Sequence, residues 1–206
     1  MRVFVTGATG FIGTELVKEL IAAGHQVRGL TRSDSGVEQL KAAGAEVHRG
    51  NLEDLDSLRS GATGMDAVVN LAFNHDFSKF AQNAQDEIKA IEALGSVLTP
   101  GKLLVVTSGI GITSGSPGLV RKESDPPTDS PMMPRRPGQA AQAVAEKGVR
   151  VAVVRLPQVH DTQARASDVA NSVRARQRLF RVRGRWRIPL GCGSAARCGA
   201  PLSSGS

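Results

Sequence analysis

The sequence predicts an α/β protein built on a doubly wound parallel sheet, and three observations carry that prediction. A glycine-spaced turn, Thr6-Gly7-Ala8-Thr9-Gly10-Phe11-Ile12-Gly13, stands between a short apolar run and a helical pattern. Further apolar runs alternate with helical patterns at short spacing, the order expected of right-handed βαβ units. One of them, Ala67-Val68-Val69-Asn70-Leu71-Ala72, is apolar almost throughout, as a strand buried on both faces of a parallel sheet would be.

Taken in order, residues 1–6 read as the first strand and residues 11–23 as the first helix, stopped by Gly24. Residues 26–31 form the second strand. It ends at Arg32-Ser33-Asp34-Ser35, where a serine or aspartate can cap a helix over residues 37–43. Gly44 closes that helix, and residues 45–48 form a short third strand. Gly50-Asn51-Leu52-Glu53-Asp54 leads into a helix over residues 55–60, with Asp54 and Asp56 at its start. The fourth strand is residues 67–72, and a longer helix over residues 77–94 follows. Residues 102–107 are the fifth strand. Residues 108–134 read as a long loop rich in proline, glycine and serine, after a strand's C-terminal end, where ligands bind in such sheets. A helix over residues 138–147 and a strand over 149–156, closed by Pro157, complete the pattern.

Composition narrows the classes. Among 206 residues, 40% are apolar, enough for a core, whereas aromatics are 3% and tyrosine is absent. The opening residues read as a strand rather than a basic stretch followed by an apolar segment, so no export signal is expected. No apolar run approaches the ~20 residues that span a bilayer. Cys192 and Cys198 are the only cysteines, which favours a reducing, cytoplasmic setting over a disulfide framework. The net charge of +7 is local: residues 162–206 hold nine arginines and one acid, Asp168, or +8, so the first 161 residues sum to −1.

The glycine turn carries a specific chemistry. Gly7 permits the tight turn, Gly10 lets a pyrophosphate approach the backbone, and Gly13 lets the helix pack on the strand. The helix N-terminus then offers free N–H groups and the positive end of its dipole to an anion.

Val5-Thr6-Gly7-Ala8-Thr9-Gly10-Phe11-Ile12-Gly13 resembles the nucleotide fingerprint of the short-chain dehydrogenase/reductase superfamily, in its extended or atypical, epimerase/dehydratase-like branch. Gly50-Asn51-Leu52 with Asp54 resembles the turn that lines the adenine. Asn70-Leu71-Ala72 resembles the end of the fourth strand beside the cofactor, and Val105-Val106-Thr107-Ser108-Gly109 the serine-bearing end of the fifth. Val154-Arg155-Leu156-Pro157 resembles the Arg-Pro ending of the sixth. The resemblance spans about residues 1–161 and implies a Rossmann fold whose substrate lobe is truncated or irregular. It also implies cofactor contacts from Thr6, Gly7, Thr9, Gly10, Phe11, Ile12, Gly13, Asn51, Leu52, Leu71 and Ala72. Arg32, at the end of the second strand, suits the 2′-phosphate of NADP, so NADP is favoured over NAD; the alternative leaves Arg32 in solvent and gives the ribose to Asp34.

Catalysis departs from the family. The expected tyrosine, and the lysine four residues on, fall near Pro134 and Gly138, and neither residue moves a proton. Arg135 and Arg136 stay protonated and act only electrostatically. Ser108 or Thr107 remains to contact a substrate carbonyl, although a loop serine also bonds its own backbone. His75 and Asp76, or His160 and Asp161, offer acid/base groups at strand ends, against a plainer capping role. No spacing suggests a metal site.

The expected function is an NAD(P)-dependent oxidoreductase or epimerase/dehydratase acting on a small carbonyl or hydroxyl substrate. The alternative is a non-catalytic NADP-binding sensor or degenerate pseudo-enzyme. No membrane partner is expected, and a homo-oligomer is compatible with the sequence. The domain is expected over residues 1–161, and the basic tail over 162–206 reads as frameshifted or truncated text, since Arg, Gly, Ala and Pro have GC-rich codons. A solvated basic tail is a second reading. A nucleic-acid arm, with Phe180 and Trp186 among arginines, is the least favoured.

Overall fold

The computed structural model describes residues 1–109 and 134–157, together with Lys122, Asp125, Pro127 and Val159. All of these belong to one unit, Met1–Val159. His160, Asp161, the basic tail and most of the loop after the fifth strand lie outside the described residues.

Six parallel strands form one sheet: β1 (Arg2–Thr6), β2 (Gln26–Thr31), β3 (Glu46–Arg49), β4 (Ala67–Asn70), β5 (Leu103–Gly109) and β6 (Arg150–Leu156). Their order, β3-β2-β1-β4-β5-β6, reverses direction between β1 and β4. That reversal opens a crevice at the C-terminal ends of those two strands, the place where open α/β sheets bind ligands.

Strand alternation divides the core. Val3 and Val5 point to one face, where α1 (Phe11–Ala22) and α2 (Asp34–Ala42) supply Val17, Leu20 and Leu40. Phe4 points to the other, where α3 (Leu55–Ala62), α4 (Phe80–Ser96) and α5 (Pro137–Ala145) supply Leu58, Ile91, Leu94 and Val144. Phe4, Leu58, Ile91, Leu94 and Leu104 are fully buried, each worth about 1.5–3 kcal/mol of transfer free energy relative to exposure. At the β6 edge, Val153 and Val154 are each 42% exposed.

The element order matches the sequence reading, and several boundaries move for identifiable reasons. Helix α2 begins at Asp34 rather than residue 37, because the Ser33 hydroxyl accepts the Gly36 N–H at 3.1 Å and caps it early. Strand β4 stops at Asn70, two residues short of the expected end. The expected helix over residues 77–94 opens with a 3₁₀ turn, Phe77–Lys79, and α4 then runs on to Ser96.

Candidate functional site: the dinucleotide crevice and the Ser108 cleft

The glycine turn is held by backbone geometry. Gly7 has φ +66°, a left-handed conformation, and a Cβ there would lie 2.9 Å from the Ala72 nitrogen. Its carbonyl accepts the Gly10 N–H at 3.0 Å, which closes the turn. A Cβ on Gly13 would overlap that same carbonyl oxygen, so the helix can sit this close only with glycine there. A Cβ on Gly10 would meet, among the described residues, the Gly7 oxygen at 3.2 Å and otherwise point into open space.

Gly10 is the N-cap of α1 without a side-chain capping bond, and the first turn holds no acid. The first-turn N–H groups, including those of Phe11 and Ile12, are therefore without a side-chain acceptor, and the dipole end is unopposed. This cradle fits a dinucleotide pyrophosphate. Phe11 is 51% exposed beside it.

Buried polar side chains lock the crevice floor. The Thr6 hydroxyl donates to Asn70 Oδ1 at 2.6 Å and accepts the Ala72 N–H at 3.3 Å. Both Thr6 and Asn70 are essentially inaccessible, so they join β1 to β4 from within, while Leu71 and Ala72 are half-buried at the rim. Asn51 spends its side-chain oxygen on the N–H groups of Glu53 and Asp54, at 2.8 and 2.9 Å, and Leu52 packs against the core. Thr9 is half-buried on the turn with no hydrogen bond of its side chain among the described residues.

At the end of β2, Arg32 is exposed and makes no ion pair among the described residues. Asp34 is bound instead by Arg49, at the end of β3, and register pairs Arg49 with Thr31. Two arginines, Arg32 and Arg49, therefore stand at the neighbouring C-terminal ends of β2 and β3. Arg49 was not evident from the sequence, because its proximity depends on the β2–β3 register.

A second opening of about 350 Å³ lies at the ends of β5 and β6, against the start of α5. Ser108 lines it, 9% exposed, and its hydroxyl makes no hydrogen bond among the described residues. Thr107 projects to the opposite face, and its hydroxyl donates to the Asn70 carbonyl at 3.0 Å. Of the two carbonyl-contact candidates, Ser108 alone faces the cleft. Gly138 also lines it, and a Cβ there would meet nothing within 4 Å.

Arg135 at the cleft wall is a structural cation. Its guanidinium grips both carboxylate oxygens of Glu87, with Nε to Oε2 at 2.8 Å, and stacks 4.0 Å over the Phe73 ring. It also reaches the Thr107 carbonyl at 3.4 Å. Glu87 is 4% exposed, so this is a buried pair; nothing in the sequence singled it out.

The other candidates fall into supporting roles. Asp76 caps the 3₁₀ turn, accepting from the Ser78 hydroxyl at 2.6 Å and its N–H at 3.0 Å. Those two bonds, the hydroxyl first, lower its pKa and keep it ionised. His75 stacks edge-on against Phe73 at 5.2 Å and faces Phe77 at 6.2 Å. Asp54 caps α3 through the Ser57 N–H at 3.0 Å. Among the described residues there is no cluster of three metal-ligating side chains, and no helix is long and apolar enough to cross a membrane.

Comparison with known proteins agrees with this geometry. Residues 7–178 match a family model described as NAD(P)H-binding. An uncharacterised protein of Schizosaccharomyces pombe is 41% identical over 159 residues, covering 76% of this chain and 53% of that protein. A chloroplastic epimerase family protein of Arabidopsis thaliana is 32% identical over 168 residues, 76% of this chain and 48% of that one. A UDP-glucose 4-epimerase of Stenotrophomonas maltophila, solved with NAD bound, superposes with a TM-score of 0.61 at 20% identity, over 75% of this chain and 52% of that chain. The chain thus spans about half the length of the curated relatives it matches. Turn, crevice and matched family together place this chain in the NAD(P)H-binding family of Rossmann-fold proteins, within the short-chain dehydrogenase/reductase superfamily.

Proposed function

We propose that the protein is an NADP-dependent oxidoreductase or epimerase-like enzyme that acts on a small carbonyl or hydroxyl substrate at Ser108. The observation that carries the reading is the Ser108 hydroxyl, without a hydrogen bond among the described residues, which faces a cleft at the same C-terminal edge of the sheet as the glycine turn. When bound, the dinucleotide supplies the hydride. The chain supplies position: the glycine turn and the first turn of α1 hold the pyrophosphate, and Arg32 with Arg49 receives the 2′-phosphate. The Ser108 hydroxyl donates to the substrate oxygen as negative charge develops there. A cytoplasmic setting belongs to this reading and rests on the sparse cysteines.

One observation favours a second reading. Pro134 and Gly138 stand where the family's tyrosine and lysine are expected, so the cleft lacks that proton-transferring pair. On that reading the protein binds NADP without turnover, as a sensor.

Titration with NADP and NAD, beside NADPH oxidation over a panel of aldehydes, ketones and nucleotide sugars, separates the two. Turnover that falls about 100-fold in Ser108→Ala supports the enzyme. Binding without turnover supports the sensor, and no binding sinks both. Arg32→Ala should weaken NADP about tenfold, or ~1.4 kcal/mol, and leave NAD unchanged. Tighter NAD than NADP binding by the unaltered chain removes the NADP preference.

A further inference from the structure

Among the described residues, the Ser108 cleft contains a cation without a counter-ion. Register pairs Ser108 with Arg155 across β5 and β6, so the two side chains lie side by side on one face, on strands about 4.8 Å apart. Arg155 is half-buried and lines the cleft. Among the described residues it makes one hydrogen bond, from Nη2 to the Asp125 carbonyl at 2.9 Å, and no ion pair. Arg135, in the same wall, shows the alternative, since Glu87 neutralises it.

A guanidinium carries five N–H donors in a planar fork, so most of those of Arg155 remain available. A half-buried charge without a counter-ion is costly, and an incoming anion relieves that cost. The remaining polar lining is of the same kind. Among the described residues, the side chains of Ser108, Gln139 and Gln142 make no hydrogen bond and no carboxylate lines the cleft. Arg136 adds a further cationic side chain to the wall.

We propose that this cleft is an oxyanion site, and that the substrate is an acid whose carboxylate or phosphate docks on Arg155 within a few bonds of the carbon presented to Ser108. The planar fork of arginine matches either anion through paired N–H donors. Gln139 and Gln142 supply amide donors from the first turns of α5. The assignment of the reacting carbon rests on the reading of Ser108 given above; the anion site itself rests on Arg155 and the lining.

Calorimetric titration at constant ionic strength tests this, with malonate in one arm and inorganic phosphate in the other. Each arm is run with and without saturating NADP, which covers the glycine turn and removes that competing anion site. The expected result is saturable binding of one anion at a single site, at least tenfold weaker in Arg155→Gln and within a few-fold of the original in Arg155→Lys. The arm that saturates more tightly identifies the carboxylate or the phosphate. Gln142→Glu, at an exposed helical position, keeps the fold and sets a carboxylate in the cleft; it should also weaken binding at least tenfold. Affinity unchanged in both Arg155→Gln and Gln142→Glu, or no saturable binding of either anion, overturns the inference. A chain that binds malonate through Arg155 but not NADP would instead sink the dinucleotide reading and leave the anion site standing.

Discussion

The two openings at the C-terminal edge of the sheet are built from different material. In the β1–β4 crevice the ligand-facing groups are backbone: the turn closed by the Gly7 carbonyl and the uncapped N–H groups that start α1. In the Ser108 cleft they are side chains drawn from β5, α5 and β6. A backbone site needs the absence of Cβ atoms, so it is sensitive above all to volume. A side-chain site needs particular donors held in place, and here a buried ion pair, Glu87 with Arg135, does part of the holding. The first site is common to a superfamily, whereas the second is where one member can differ from another.

The contrast is sharpest under substitutions that strike one region and spare the other. The largest effect is expected from Glu87→Ala. It strands the Arg135 guanidinium, 16% exposed, without its carboxylate, and breaking such a pair costs about 3–5 kcal/mol. Denaturant unfolding should show that loss, while NADP affinity of the folded fraction stays within a few-fold; an unchanged midpoint would mean that Glu87 does not hold the cleft wall. Gly13→Ala comes next. Its methyl overlaps the Gly7 carbonyl oxygen, and the enforced shift should cost about 1–3 kcal/mol and weaken NADP at least tenfold, with malonate binding at the cleft retained. Equal losses at both sites would show that the two regions are not separable.

The smallest effect lies at the opposite edge of the sheet and serves as a reference for both. Asp66 accepts the Arg2 N–H at 2.8 Å and the Lys102 ammonium at 2.6 Å, and these bonds, the backbone one first, hold its pKa down to about 2. A depressed carboxylate pKa stabilises the fold above its unfolded value, and that contribution disappears as pH falls from about 4 through 2. Melting temperature followed over that window should drop less in Asp66→Asn than in the unaltered chain, with no change in NADP or malonate affinity at neutral pH. An identical acid profile would remove Asp66 from the account.

The glycine turn was legible because its constraint is local. Eight consecutive residues set a turn conformation, a close helix approach and an uncapped helix start, and each follows from missing Cβ atoms or missing caps. Ser33 was legible as a cap for the same reason, since its partner Gly36 lies three residues away. Strand β4 was legible as a buried strand, but its end was not. Asn70 reads as one polar residue in an apolar run until its amide oxygen is seen to accept from Thr6, 64 residues earlier.

The cleft was legible only in part. Ser108 was visible as a serine at a strand end, yet its choice over Thr107 depends on which face each residue takes within β5. Glu87 looked like any helical acid. Its burial follows from α4 packing under Phe73 and Arg135, 48 residues further on in the case of the arginine. Arg155 read as part of a strand ending, and its place beside Ser108 is set by the β5–β6 register alone.

From the sequence by itself came the doubly wound sheet, the phosphate cradle and the missing tyrosine, because periodicity, turn chemistry and residue identity act over short stretches of chain. Tertiary structure alone decided that Ser108 faces the opening, that Arg49 at the end of β3 lies alongside the end of β2, and that Arg155 stands beside Ser108 with no carboxylate among the described residues. Those are distances between strands and helices remote in sequence, fixed by parallel register and by which side chains the core has room to bury.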